Sequence, residues 1–129
     1  DKITWSTLEI KKTKNLSQSE IIALETKALE QHLPKDSISV CLDSKGKMLD
    51  SEGLASKMNT WKQQQQHICF IIGGPFGLHP KLVDQCDFHW SYSSLTFPHM
   101  LMRILLLEQL YRAHCILNNR PYHQKDTLM

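Results

Sequence analysis

An apolar strand that runs straight into a glycine-rich turn, Ile71-Ile72-Gly73-Gly74-Pro75-Phe76-Gly77, constrains this chain more than any other feature. Sixteen residues later a second loop, Ser93-Ser94-Leu95-Thr96-Phe97-Pro98-His99, is rich in small hydroxyl residues and opens a long apolar helix at Pro98. Glycine has no Cβ and tolerates positive φ, so the backbone can approach a ligand closely there. Two such loops side by side offer bare N–H and C=O groups to a flat, polar small molecule.

The rest of the chain reads as strands alternating with helices. Ile3–Ile10 has strand character, and Lys11 to Asn15 is a loop. Ser17 with Glu20 three residues on makes a capping box. The helix it opens carries Ile21, Ile22, Leu24, Ala28 and Leu29 on an apolar stripe and stops before Pro34. A strand over Ser37–Leu42 precedes a helix over Ser51–Trp61, with Leu54, Met58 and Trp61 at helical spacing. His67–Ile72 is nearly all apolar, the pattern of a strand buried on both faces in a parallel sheet. Pro80 suits the first turn of a short helix to about Cys86. Phe88–Ser91 is the last strand and Pro98–Leu117 the last helix. The alternation predicts an α/β fold, a parallel sheet with crossover helices, in one domain spanning residues 1–129. Ligands in such sheets collect at the carboxyl ends of strands. Leu42, Gly73 and the Tyr92–Phe97 loop all fall there.

Composition narrows this little. Fifteen basic residues against 13 acidic give a formal charge of +2, too even to announce a nucleic-acid binder. The local basic positions are Lys11, Lys12 and Lys14, for which a solvated loop is the plain reading, and Arg112, Arg120, His123 and Lys125. Four scattered cysteines, without a C-x-x-C pair, suggest no disulfide framework and a reducing, cytoplasmic setting. The most apolar stretch, Met100 to Leu107, is broken by Arg103 and followed by Glu108, so no membrane span is expected. Nor is a metal.

Five pieces in order resemble one family. They are Val40-Cys41-Leu42-Asp43, the Gly-Gly-Pro-x-Gly loop, the Ser-x-Leu-Thr-x-Pro-His loop, the run Glu108-Gln109-Leu110-Tyr111-Arg112-Ala113, and the tail Pro121-Tyr122-His123. Over roughly Ser37 to His123 the chain is similar to the SPOUT-class methyltransferases that act on N3 of a pseudouridine in bacterial large-subunit (23S) ribosomal RNA. The resemblance implies S-adenosylmethionine as cofactor, the ribosome as partner, a homodimer, and a C-terminal trefoil knot around the cofactor. It assigns Leu42, Gly73, Tyr92, Ser93, Ser94, Leu95, Thr96 and Phe97 to the cofactor. Family members begin with a further strand and helix before the equivalent of Ile3–Ile10, so these are expected to be missing. The family loop commonly carries glutamate where this chain has Phe76.

Methyl transfer to N3 needs in-line alignment and removal of the N3 proton, for which histidine is suited by its pKa of about 6.5. His123, with Tyr122, is preferred for contact with the base over His99, at the positive end of the last helix. His114 reads as a core histidine. Arg103, Arg112 and Arg120 are candidate RNA contacts, although Glu108 and Arg112, four apart, also read as a plain intrahelical pair. The last helix is apolar in almost every direction, which calls for burial all round and hence for a second copy. The alternatives are a catalytically silent ribosome- or RNA-binding SPOUT domain and a SPOUT enzyme acting on tRNA.

Overall fold

The capping box at Ser17 forms as expected. The Ser17 hydroxyl accepts from the Glu20 N–H and the Glu20 carboxylate accepts from the Ser17 N–H, both at 3.2 Å. They open helix α1, Gln18–His32. The computed structural model describes residues 3, 4, 6–8, 14–65, 67–74, 76–93 and 95–124, save the side chain of His99. Trp5, Ile10, Lys11, Lys12, Pro75, Ser94 and Lys125 thus lie outside the described residues.

Three strands follow: β1 (Ser37–Met48), β2 (His67–Ile71) and β3 (Phe88–Ser91). They form a parallel sheet in the order β2-β1-β3. Between them lie α2 (Ser51–Gln64) and α3 (Pro80–Gln85), and α4 (His99–Leu117) closes the fold. Asp50 caps α2 by accepting from Gly53 N–H at 2.6 Å, and the His79 ring caps α3 through Lys81 N–H at 3.0 Å.

The period-two alternation of β1 sorts the core into two layers. Ile38 and Val40 join Trp90, the buried face of α2 (Leu54, Ala55, Met58, Trp61) and Leu106 and Ala113 of α4. Cys41 points the other way, to Ile71, Leu82 and Cys86, with Leu29 and Leu33 packed against them. All four cysteines are free, and burial pushes the Cys41 thiol up to about 12. These thiols act as small apolar side chains.

Four expectations change. Ile3, Thr4 and Ser6–Leu8 are not in a strand, and Ile3 is 59% exposed. An extended segment with no ladder partner gains nothing from strand geometry. β1 runs beyond Leu42, leaving its ladder with β3 there and rejoining it at Lys47. On α1, Leu24 is exposed, because the packed line passes through Leu29 and positions three, four and seven residues before it, and Leu24 is five before. Finally, α4 is covered on one side only. Leu106 is 2% exposed, whereas Met100, Leu101, Ile104 (63%), Leu107 and Tyr111 are exposed.

Candidate active site

Gly73 and Tyr92 sit just beyond the carboxyl ends of β2 and β3, whereas Leu42 lies inside β1, where that strand first leaves its ladder with β3. The glycine loop closes on itself. Gly77 N–H donates to the Gly74 carbonyl at 3.0 Å, and Gly77 takes φ 82, a left-handed value that glycine adopts without strain. A Cβ on Gly73 would lie 2.9 Å from both the Gly77 carbonyl carbon and Leu78 Cγ. Gly74 lies against the carboxylate of Glu25.

In the second loop, the Ser91 hydroxyl donates to the Ser93 carbonyl and the Leu95 N–H donates to the Ser93 hydroxyl, each at 3.0 Å. Leu95 and Thr96 are exposed and Phe97 is half-buried. Tyr92 stands edge-on to Trp90, ring centroids 4.7 Å apart. Its hydroxyl is buried without a hydrogen-bond partner among the described residues. Burial, with Glu108 close by, pushes that phenol well above its usual range.

The tail is folded back onto α4 by its own helix end. Arg120 N–H donates to the Cys115 carbonyl (2.8 Å), Asn119 N–H donates to the Ile116 carbonyl (3.3 Å), and Asn119 has φ 55. This is a Schellman motif, with asparagine in the left-handed position usually given to glycine. It turns the chain so that Tyr122 lands edge-on against Tyr111 (4.8 Å), with the Arg112 guanidinium 4.8 Å above its ring.

Four side chains then meet. Arg112 Nε and Nη2 donate to Glu108 Oε2 at 3.0 and 2.8 Å, and the Tyr122 hydroxyl donates to the same oxygen at 3.0 Å. Arg112 Nη1 donates to His123 Nδ1 at 3.0 Å. A guanidinium only donates, so Nδ1 must accept and the ring proton of the neutral imidazole sits on Nε2. That nitrogen lies 3.7 Å from Glu52 Oε1 on α2. Gln109 links the Glu108 carboxylate (2.7 Å) to the Ser51 hydroxyl (2.7 Å). Desolvation raises the Glu108 carboxyl, but the hydrogen bonds from Arg112 and Tyr122 outweigh it and hold the group below its ordinary value. The same carboxylate raises the Tyr122 phenol and the Arg112 guanidinium.

Tyr122, His123 and Arg112 are thus brought together on Glu108, and the Tyr92 phenol lies within reach of that carboxylate's charge without bonding to it. Arg112 is more than half of an intrahelical pair, since it also reaches the tail. Arg103, nine positions earlier on α4, falls on roughly the opposite side of the helix. Arg120 is exposed at the turn and Ser94 lies outside the described residues. His99 is the first residue of α4. His114 is only half-buried, beside Asn118, rather than in the core. Glu108 as the hub, and Glu52 as the carboxylate nearest the far ring nitrogen of His123, were not evident in the sequence. The i,i+4 spacing was visible for the first, and nothing signalled the second. Two shallow hollows of about 430 and 440 Å³ lie elsewhere, along α2 at Leu49–Gln64 and between Lys45–Lys47 and Asp84–His89. Among the described residues no His/Cys/Asp/Glu group is arranged to hold a metal, and no helix is long and apolar enough to cross a membrane.

The family model described as "Predicted SPOUT methyltransferase" matches residues 2–123. A Legionella pneumophila protein named ribosomal RNA large subunit methyltransferase H is 44% identical over 115 residues, covering 89% of this chain and 74% of that one. Its namesake from Neisseria meningitidis serogroup C is 39% identical over 126 residues, 95% and 81% of the two chains. The Xylella fastidiosa namesake is 42% identical over 111 residues, 86% and 70%. The chain belongs to the SPOUT methyltransferases, in the family of the large-subunit ribosomal RNA methyltransferases H.

Proposed function

We propose that this chain methylates N3 of a pseudouridine in large-subunit (23S) ribosomal RNA, with S-adenosylmethionine as methyl donor, as a cytoplasmic homodimer carrying the family's C-terminal knot. The observation that carries the reading is the meeting of His123, Tyr122 and Arg112 on Glu108, in a chain matched by the family over residues 2–123. The residues at the carboxyl edge suit an adenosyl ligand. They offer turn backbone at Gly73 and Ser93, and a buried Tyr92 hydroxyl still without a partner among the described residues. When bound, S-adenosylmethionine supplies an electrophilic methyl group on a cationic sulfur.

The chain's own groups position the base and take its proton. Tyr122 gives an aromatic face and His123 a ring beside it. His123 Nδ1 is engaged by Arg112, so the ring accepts the N3 proton there only when Arg112 Nη1 lets go. An RNA phosphate drawing Arg112 toward itself frees Nδ1 and couples substrate docking to proton removal. Arg120 and Arg103 add phosphate contacts elsewhere on the surface. The exposed stripe Met100, Leu101, Ile104, Leu107 and Tyr111 is the face proposed to meet a second copy. The test is calorimetric titration with S-adenosylmethionine, followed by methyl transfer to ribosomes and to tRNA in parallel. Binding with transfer to ribosomes alone supports the reading. Binding without transfer favours a silent RNA-binding domain, and transfer to tRNA alone a different substrate.

A further inference from the structure

Glu25 is a half-buried acid that the mechanism above does not use. It lies on α1 where that helix meets the glycine loop, and a Cβ added to Gly74 would collide with its Oε2 and approach its Cδ to 3.1 Å. Its Oε1 is buried and has no hydrogen-bond partner among the described residues. Desolvation raises its carboxyl above the ordinary range. A covered acceptor left without a donor is costly, and such groups call for an explanation in ligand binding or catalysis. Phe76, in the same loop, is exposed and contributes no polar side chain.

We propose that Glu25 is a binding residue for the methyl donor, its Oε1 accepting a hydrogen bond from a ribose hydroxyl or from the ammonium of the amino-acid arm. The inference rests on the function proposed above, which seats that donor against the turn backbone at Gly73, next to Gly74. Both groups are hydrogen-bond donors, which is what an orphaned acceptor lacks. A carboxylate also repels phosphate, so this end of the site admits the adenosyl compound and turns away the RNA backbone.

The 129-residue chain, Glu25→Gln and Glu25→Ala are titrated by calorimetry with S-adenosylmethionine and with 5′-methylthioadenosine, which has no amino-acid arm, and each protein is melted without ligand. Loss of a charge-assisted hydrogen bond should weaken S-adenosylmethionine binding roughly ten- to a hundredfold in both variants. Their ligand-free melting temperatures should stay level or rise, because an uncompensated carboxylate has gone. Weaker binding of both ligands assigns the ribose, and of S-adenosylmethionine alone the ammonium. Unchanged affinity in both variants overturns the inference and leaves the proposed function standing. So does an affinity loss accompanied by a fall in ligand-free melting temperature, which marks a structural role. A parent that binds no S-adenosylmethionine overturns both.

Discussion

His123 is held at Nδ1 by Arg112 at 3.0 Å and has Glu52 Oε1 3.7 Å from its other ring nitrogen, so its ring is oriented before any substrate arrives. If it removes the N3 proton, His123→Ala should slow methyl transfer by roughly 10²–10⁴-fold with cofactor affinity nearly unchanged. A loss of only a few-fold in single-turnover rates would point to positioning. Glu108 stays ionised to lower pH in the folded chain than in the unfolded one. Its contribution to stability is therefore complete above its ordinary value of 4.5 and is lost as pH falls through the lower, folded value. Urea melts should show the parent losing stability faster than Glu108→Gln on descending below pH 4.5, and parallel curves would contradict this. Tyr122 and His123 were legible because the tail motif is compact in sequence. The hub was not, since a bond from Tyr122 to Glu108 crosses fourteen residues and depends on how the helix ends. Besides the room for a ligand that its sequence context suggests, Gly73 has a packing reason to lack a side chain. A side chain there meets Gly77 and Leu78, so Gly73→Val would displace the loop with or without a cofactor.

The end of α4 decides where the tail goes. Asn119 at φ 55 is tolerated because its short polar side chain suits left-handed backbone, and glycine does so with no penalty. Asn119→Gly should therefore leave thermal stability and activity near the parent's. Asn119→Val should cost about 1–2 kcal/mol and misdirect Tyr122 and His123, so that methylation falls further than stability does. Equal activity in both variants would detach the helix end from catalysis. At this scale the sequence was informative wherever local chemistry sets a boundary. Ser17 with Glu20, Pro80 after His79, and Phe88–Ser91 fall where they were expected. It was uninformative where a third element decides. Ile3, Thr4 and Ser6–Leu8 include strand-forming residues but are in no ladder, and β1 continues past Leu42 because β3 takes it up again at Lys47.

Over the whole molecule, α4 divides its apolar residues between a side the core takes and an exposed side proposed to meet a second copy. Composition showed a helix apolar all round but not which side the core would take. The structure gives Leu106 to the core and leaves Ile104 and Leu107 outside. Leu106→Glu places an unpaired charge among Trp90, Leu54 and Met58, costing several kcal/mol, and should unfold the chain. Ile104→Glu should instead give a folded monomer by light scattering and circular dichroism. A parent that is monomeric at micromolar concentration would contradict the homodimer. The methylated product is the most direct evidence of what this chain does. Ribosomes incubated with the protein and methyl-labelled S-adenosylmethionine are digested, and the 23S nucleosides are identified by mass spectrometry. One methyl group on N3 of a pseudouridine is expected, lost or strongly reduced with His123→Ala. Label on tRNA, on another atom, or on no nucleoside at all would contradict it.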